Sequence, residues 1–136
     1  METSCGVVLV NFGSILLLQY PQGHWDFPKG HVEELDANNL DTAGRELKEE
    51  TGIEDFEFIL DFEYRTSYNF KHKGKKIDKQ VFWYIAETET MTVNLSHEHR
   101  EHLWLDWDSA MNQLTHQESR GVLAAARSHM ESVRKY

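Results

Sequence analysis

The fold of this chain is decided by one stretch, GHVEELDANNLDTAGRELKEETGI, which spans Gly30 to Ile53. Its second half has the spacing of an amphipathic helix, predicted over Asn38–Thr51, because residues three and four apart share a helix face. The apolar face consists of Leu40, Ala43 and Leu47. Gly52 follows at the position where glycine commonly ends a helix. The stretch therefore predicts a helix that packs on a core.

The face beside this apolar stripe is acidic. Glu46, Glu49 and Glu50 lie three and four residues apart, so their carboxylates share a stripe and repel one another. A hard divalent cation would relieve that repulsion, since it takes oxygen ligands and keeps waters that a phosphate can displace. The alternative is a solvated acidic surface without a ligand.

The same stretch resembles the Nudix box, which reads Gly, five residues, Glu, seven residues, then Arg-Glu-U-x-Glu-Glu-x-Gly-U, with U aliphatic. Arg45–Ile53 matches the second half at every fixed position. The first half begins at Gly30 but is one residue longer than the pattern, and Asp36 stands where the first Glu is expected. We expect the loop before the helix to absorb the extra residue, so that the helix keeps its register.

This resemblance implies a Nudix hydrolase with a mixed β-sheet sandwiched between helices, an α/β/α fold. Such an enzyme cleaves nucleoside diphosphates linked to another group, with Mg²⁺ as the metal cofactor and Mn²⁺ as an alternative ion. We expect the catalytic metal to take most of its protein oxygens from Glu46, Glu49 and Glu50, and another from the Gly30 carbonyl, because glycine lets the backbone approach closely. Arg45 is expected to orient a carboxylate.

Three further segments are similar to the asymmetric diadenosine tetraphosphate hydrolases. They are HWDFPKGHVE at His24–Glu33, the aromatic strand Val81–Glu87 and the loop SHEH at Ser96–His99. The resemblance implies that dinucleoside polyphosphates such as diadenosine tetraphosphate are split into ATP and AMP. It adds Glu98 as a catalytic and metal-binding carboxylate. His116 departs from it, because those hydrolases tend to carry a second base-stacking aromatic residue there.

Groups that could hold a nucleotide lie on both sides of the box. Lys29 and His24 are predicted to contact phosphates, and so is Lys79, the member of a basic cluster that enters the following strand. Tyr68 and Trp83 are predicted to stack on a base. A role in the core is equally compatible with the sequence around Trp83.

Composition narrows the class of protein. With 136 residues and 40% hydrophobic residues, residues 1–136 are predicted to form a single domain. A net charge of −9 argues against DNA or an anionic membrane as partner. We therefore expect the ligand to be a small nucleotide. The single Cys5 and the lack of a signal-peptide pattern favour a cytoplasmic location. The oligomeric state is left open between monomer and homodimer.

Two other functions remain open at this point. One is removal of pyrophosphate from RNA 5′ ends, which would call for an extended basic face, whereas the chain offers only the Lys71–Lys79 cluster. The other is a catalytically silent domain that senses a nucleotide, which would be signalled by loss of a box carboxylate.

The remaining pattern predicts strands followed by helices. We expect a hairpin from Cys5–Asn11 and Ser14–Tyr20, and one long strand over Phe56–Phe70. The other predicted elements are a basic tip at Lys71–Lys79, strands at Gln80–Glu87 and His102–Trp107, and helices at Asp108–Gln113 and Glu118–Arg134.

Overall fold

Eight strands and three helices make up the part of the chain, residues 1–133, that the computed structural model describes. The strands are β1 (Glu2–Asn11), β2 (Ser14–Gln19), β3 (Trp25–Asp26), β4 (Lys29–His31), β5 (Phe56–Phe58), β6 (Tyr64–His72), β7 (Lys75–Thr88) and β8 (Glu101–Asp106). The helices are α1 (Asn39–Thr51), α2 (Trp107–Gln113) and α3 (Gln117–Val133). Within this part, no helix is both long and apolar enough to cross a membrane.

Strand β1 is the centre of a mixed sheet. It pairs in parallel with β7 and antiparallel with β2 and β4. Strand β7 also pairs antiparallel with β5 and β6, and β2 pairs antiparallel with β3 and β8. From Cys5 to Val10 the sequence of β1 is continuously apolar, as expected of a strand with both faces buried. The predicted β1–β2 hairpin is confirmed.

The two faces of the sheet carry separate hydrophobic clusters. On one face, Val8 packs with Leu123 of α3, and on the other face the neighbouring Val7 packs with Leu47 of α1. This division follows from the strand itself, since successive side chains point to opposite faces. The predicted α/β/α sandwich is therefore confirmed.

Helix α1 keeps the register that the sequence predicts. Asn38 caps its start, where the side chain accepts a hydrogen bond of 2.9 Å from the Asp41 amide. Gly52 ends it with a φ of 73°, a left-handed conformation that glycine adopts readily. The extra box residue lies in the loop 32–38, so the whole Arg45–Thr51 segment is helical.

The predicted long strand over Phe56–Phe70 is wrong. Strand β5 ends at Phe58 and β6 starts at Tyr64, and the two pair with β7 at Ala86 and at Trp83, respectively. The break was not visible in the sequence because apolar and polar residues alternate on both sides of it, and within residues 59–63 only Ile59 interrupts the pattern.

The predicted basic tip over Lys71–Lys79 is also wrong in its extent. Strands β6 and β7 stay paired as far as His72 and Lys75, which leaves only Lys73 and Gly74 in the turn. Both turn residues have positive φ, as two-residue hairpin turns require. Arg134, the predicted end of the last helix, lies outside the described residues.

Candidate active site

Strand β4 and helix α1 bring the box residues to one edge of the sheet. Gly30 lies so close to the Glu46 carboxyl that a Cβ at this position would overlap it, and only glycine permits that approach. One turn further along α1, the Glu50 Oε1 atom accepts a hydrogen bond of 3.1 Å from the Lys29 amide. We call Gly30, Glu46, Glu49, Glu50 and Glu98 the acidic edge.

Glu50 is the most buried carboxylate of the acidic edge, with 7% of its side chain exposed. Burial, and after it the negative charge of Glu46, raises the pKa of Glu50 to about 9. Burial also raises the pKa of Glu46. The positive groups of the protein therefore do not fully offset the negative charge of the acidic edge.

Arg45 links the acidic edge to the loop before α1. Its guanidinium donates to Asp36 through Nε (3.0 Å) and Nη2 (2.9 Å) and to the His31 carbonyl (2.9 Å). Its Nη1 atom donates to Glu46 at 2.8 Å and to Glu49 at 3.3 Å. These bonds hold the pKa of Asp36 well below its usual range. Asp36, despite the extra residue, anchors Arg45.

Two of the predicted metal ligands lie further out. The Glu49 side chain is 56% exposed, and Glu98 is exposed in the turn at residues 97–98. The charge of Glu98 still reaches Glu50 and contributes to its raised pKa. Over residues 1–133, no three His, Cys, Asp or Glu side chains are already arranged to hold a metal ion.

The donor set of the acidic edge nevertheless fits a hard divalent cation. It offers carboxylate oxygens and one backbone carbonyl, the ligands that Mg²⁺ and Mn²⁺ prefer. The raised pKa of Glu50 marks negative charge that a cation would offset. The residues that could bind it are Gly30, Glu46, Glu49, Glu50 and Glu98.

His99 is a member of the site that the sequence did not single out as a functional residue. Its ring is buried, its Nε2 atom has no hydrogen-bond partner among residues 1–133, and this atom lies 3.8 Å from Glu50 Oε2. The Ser96 hydroxyl lies 3.0 Å from the other ring nitrogen. The only sequence signal for it was its place in the SHEH loop.

Beside the acidic edge is a cavity of about 400 Å³, the aromatic pocket, lined by residues that include His24, Lys29, Tyr68, Trp83 and His116. Trp83 is 3% exposed, donates to the Thr66 hydroxyl at 2.9 Å and contacts Phe27 edge-to-face. Lys29 Nζ lies 5.9 Å from the centre of the Trp83 ring. Trp83 is therefore a core residue that also lines the pocket, and its stacking on a base stays a prediction.

Further rings line the aromatic pocket. Tyr68 is 41% exposed there, and the His24 and His116 rings are 5.2 Å apart. His24 also stacks on Tyr20 at 4.9 Å. Burial and the neighbouring His116 lower the pKa of His24, so it offers a neutral ring at neutral pH. A neutral His24 ring can stack on another ring or donate a hydrogen bond, so its predicted contact with a phosphate stays a prediction.

Lys79 and Asp26 complete the surroundings of the pocket. Lys79 lies directly across from Tyr68 on the paired strands, and burial followed by the charge of Lys29 lowers its pKa. Asp26 is buried and accepts hydrogen bonds from Lys29 Nζ (3.2 Å) and the Ser119 hydroxyl (2.9 Å). The sequence did not reveal Asp26, because its partner on α3 is distant in the chain.

The chain belongs to the NUDIX domain family, whose sequence pattern matches residues 2–126. It is a Nudix hydrolase, an enzyme that acts on phosphoric anhydrides. This family assignment agrees with the match of Arg45–Ile53 to the Nudix box and with the resemblance stated from the sequence.

Similar proteins have names that specify a substrate. The asymmetrical bis(5′-nucleosyl)-tetraphosphatase of Rattus norvegicus is 38% identical over 112 residues, which are 79% of this chain and 74% of that protein. A crystal structure of a C. elegans Ap4A hydrolase binary complex superposes with a TM-score of 0.82 at 28% identity, covering 97% of this chain and 99% of that one. An RNA pyrophosphohydrolase of Nitratiruptor is 35% identical over 65 residues, 48% of this chain and 39% of that protein.

Proposed function

We propose that this Nudix hydrolase cleaves dinucleoside polyphosphates and splits diadenosine tetraphosphate asymmetrically into ATP and AMP. The observation that carries this proposal is the position of Lys29. Its amide donates to Glu50 of the acidic edge, whereas its Nζ atom reaches over Trp83 into the aromatic pocket. A nucleotide whose base occupies the pocket would therefore direct its phosphates towards the carboxylates.

The acidic edge is proposed to bind Mg²⁺, with Mn²⁺ as an alternative, through the Gly30 carbonyl and the carboxylates of Glu46, Glu49, Glu50 and Glu98. Bound there, the cation supplies charge neutralisation at the phosphate and lowers the pKa of an attacking water. Arg45 keeps Glu46 and Glu49 oriented by the hydrogen bonds described above. Glu98, exposed beside Glu50, is proposed as a further catalytic carboxylate.

Substrate binding is assigned to the pocket and the strands beside it. Lys29 and Lys79 attract phosphates, and Tyr68 stacks on the base. Trp83 forms the floor, and His24 presents a neutral ring. His116 offers less stacking area than Tyr or Phe, which supports a specificity broader than that of a strict diadenosine enzyme.

The names of the relatives support this substrate class. We infer further that one domain carries the activity, that it acts in the cytoplasm on a small nucleotide without DNA or membrane partners, and that it does so as a monomer or homodimer. Pyrophosphate removal from RNA 5′ ends is the second candidate, favoured by the basic side chains on β6 and β7. The silent-sensor alternative is disfavoured because all three box carboxylates are present on α1.

A substrate panel tests the proposal. Diadenosine tetraphosphate, other dinucleoside polyphosphates and triphosphorylated RNA would be incubated with and without Mg²⁺, and the products identified by chromatography. We expect the highest kcat/KM for dinucleoside polyphosphates, with ATP and AMP as products and no turnover in EDTA. Faster processing of the RNA would favour the second candidate. Nucleotide binding without turnover of any compound would favour the sensor.

A further inference from the structure

The hairpin formed by β6 and β7 is a basic arm on an acidic protein. Its residues 64–80, here called the basic hairpin, contain six basic side chains against one acid, a net charge of +5, whereas the whole chain carries −9. The basic residues are Arg65, Lys71, Lys73, Lys75, Lys76 and Lys79. An anionic ligand is therefore attracted to this arm although most of the surface repels it.

One face of the basic hairpin continues the aromatic pocket. Directly opposed residues of an antiparallel pair point to the same face, and side chains alternate along each strand. The pocket residues Thr66 and Tyr68 define this face on β6. The next opposed pairs outwards on it are Phe70 with Ile77 and His72 with Lys75.

Phe70 exposes an aromatic ring on this face without lining the pocket. It is 37% exposed, and its ring centre lies 6.3 Å from that of Tyr68. Tyr68 lies in the pocket wall, so Phe70 extends the aromatic surface further out along the hairpin. Lys75, opposite His72, adds a positive charge beyond it.

The other face of the hairpin has a similar charge without the rings. Lys71 and Lys76 oppose each other there, and the alternation places Asp78 on the same side. Simple charge attraction would act through both faces, whereas within residues 64–80 the aromatic rings lie only on the face of Phe70. This difference separates the two kinds of binding experimentally.

We propose that the pocket-side face of the basic hairpin is a binding site for a second nucleotide, covalently joined to the nucleotide in the aromatic pocket. The second base stacks on Phe70, and a phosphate of the same ligand pairs with Lys75. Aromatic rings flanked by lysines bind nucleotides in this way with little base preference. The site rests on the proposed function, because the first nucleotide has to occupy the pocket. The second nucleotide can be the far nucleoside of a dinucleoside polyphosphate or the next residue of an RNA 5′ end.

The experiment compares ligands that differ only by the second nucleotide. Dissociation constants would be measured by calorimetry in EDTA, so that no turnover is needed. One pair of ligands is diadenosine tetraphosphate and adenosine 5′-tetraphosphate, and the other is GTP and a triphosphorylated dinucleotide RNA that begins with guanosine. The variants are Phe70→Ala, Phe70→Leu, which keeps apolar bulk without a ring, and Lys75→Ala. Lys76→Ala is the matched control, since it removes the same charge from the other face.

We expect Phe70→Ala to weaken binding of at least one two-nucleotide ligand by about 5- to 100-fold, the range for one stacked base, and to leave the matching one-nucleotide ligand unchanged. Phe70→Leu should behave like Phe70→Ala, and Lys75→Ala should give a smaller loss of the same selectivity. The pair of ligands that responds identifies the source of the second nucleotide.

The proposal is overturned if Phe70→Ala weakens one- and two-nucleotide ligands equally or weakens neither. It is also overturned if Lys76→Ala has the effect of Lys75→Ala, because binding would then be a matter of net charge alone. In both cases normal turnover of diadenosine tetraphosphate would leave the proposed function standing. If the wild-type protein binds none of the four ligands, this second site is overturned, whereas turnover of diadenosine tetraphosphate with Mg²⁺ decides the proposed function separately.

Discussion

The acidic edge and the aromatic pocket lie side by side but are built differently. All members of the acidic edge except Glu98 come from one segment, Gly30–Glu50, and are positioned by one helix and the strand before it. The pocket is assembled from residues between His24 and Ser119, which lie on five elements and the loops between them. The spacing of neighbouring residues therefore determines the acidic edge, whereas the aromatic pocket depends on the topology of the whole domain.

The two regions also differ in charge and in expected role. The negative charge of the acidic edge is not fully offset by the protein, and Arg45 orients two of its carboxylates. The pocket instead offers aromatic rings and the ammonium group of Lys29. If the edge performs the chemistry and the pocket selects the substrate, changes at the edge should lower kcat and changes in the pocket should raise KM.

Glu50→Gln should have the largest effect. It keeps the shape of a buried side chain but removes the charge that a cation requires, so kcat should fall by about 10²–10⁴-fold with little change in Tm. Steady-state kinetics at saturating Mg²⁺ checks this, with Glu54→Gln as a control on an exposed carboxylate outside the box helix. Near-wild-type turnover of Glu50→Gln would remove the acidic edge from the chemistry.

Asp36→Ala should have the next largest effect, although Asp36 is not expected to touch the substrate. Arg45 would lose the Asp36 carboxylate as partner of its Nε and Nη2 atoms and keep only the His31 carbonyl at Nη2, so Glu46 would be held less firmly. We expect kcat to fall by about 10- to 100-fold and the Mg²⁺ concentration for half-maximal rate to rise. Asp36→Glu, which restores the residue of the box pattern, should recover much of the activity. Full activity of Asp36→Ala would show that Arg45 does not depend on this anchor.

Tyr68→Ala tests the pocket side of the comparison. Loss of a stacked base should cost about 1–3 kcal/mol in binding, which appears as a higher KM at nearly constant kcat. Adenine and guanine substrates should be affected alike, because a ring stacks on either. If KM stays unchanged for both, the base binds elsewhere and the pocket does not select the substrate.

His116→Tyr should have the smallest effect, and in the opposite direction. A larger ring beside His24 adds stacking area, which should strengthen binding by about 0.5–1.5 kcal/mol. KM for diadenosine tetraphosphate should therefore fall by about 2- to 10-fold. The ratio of kcat/KM for this compound to that for other capped nucleotides should rise. An unaltered ratio would mean that position 116 does not set specificity.

The sequence predicted the regions in which neighbouring residues determine the structure. The register of α1, its end at Gly52 and the approach of Gly30 to the helix all follow from spacing within one segment. The loop 32–38 absorbed the extra residue because Asp36 could still reach Arg45 from it.

What the sequence did not predict depends on distant partners. Asp26 became significant only because α3 brings Ser119 against it, and His99 only because its loop folds over Glu50. The sequence did not reveal the break between β5 and β6. Both strands pair with β7, so apolar and polar side chains alternate on either side of the break.

The central claim is that the acidic edge directs water to one end of a polyphosphate chain whose base is held in the pocket. Its most direct test is hydrolysis of diadenosine tetraphosphate in ¹⁸O-labelled water with Mg²⁺, followed by mass spectrometry of the products. The account predicts ATP and AMP in equal amounts, with the label in the phosphate of AMP, away from the centre of the chain. Formation of two ADP molecules, or no reaction while triphosphorylated RNA is processed rapidly, would contradict it.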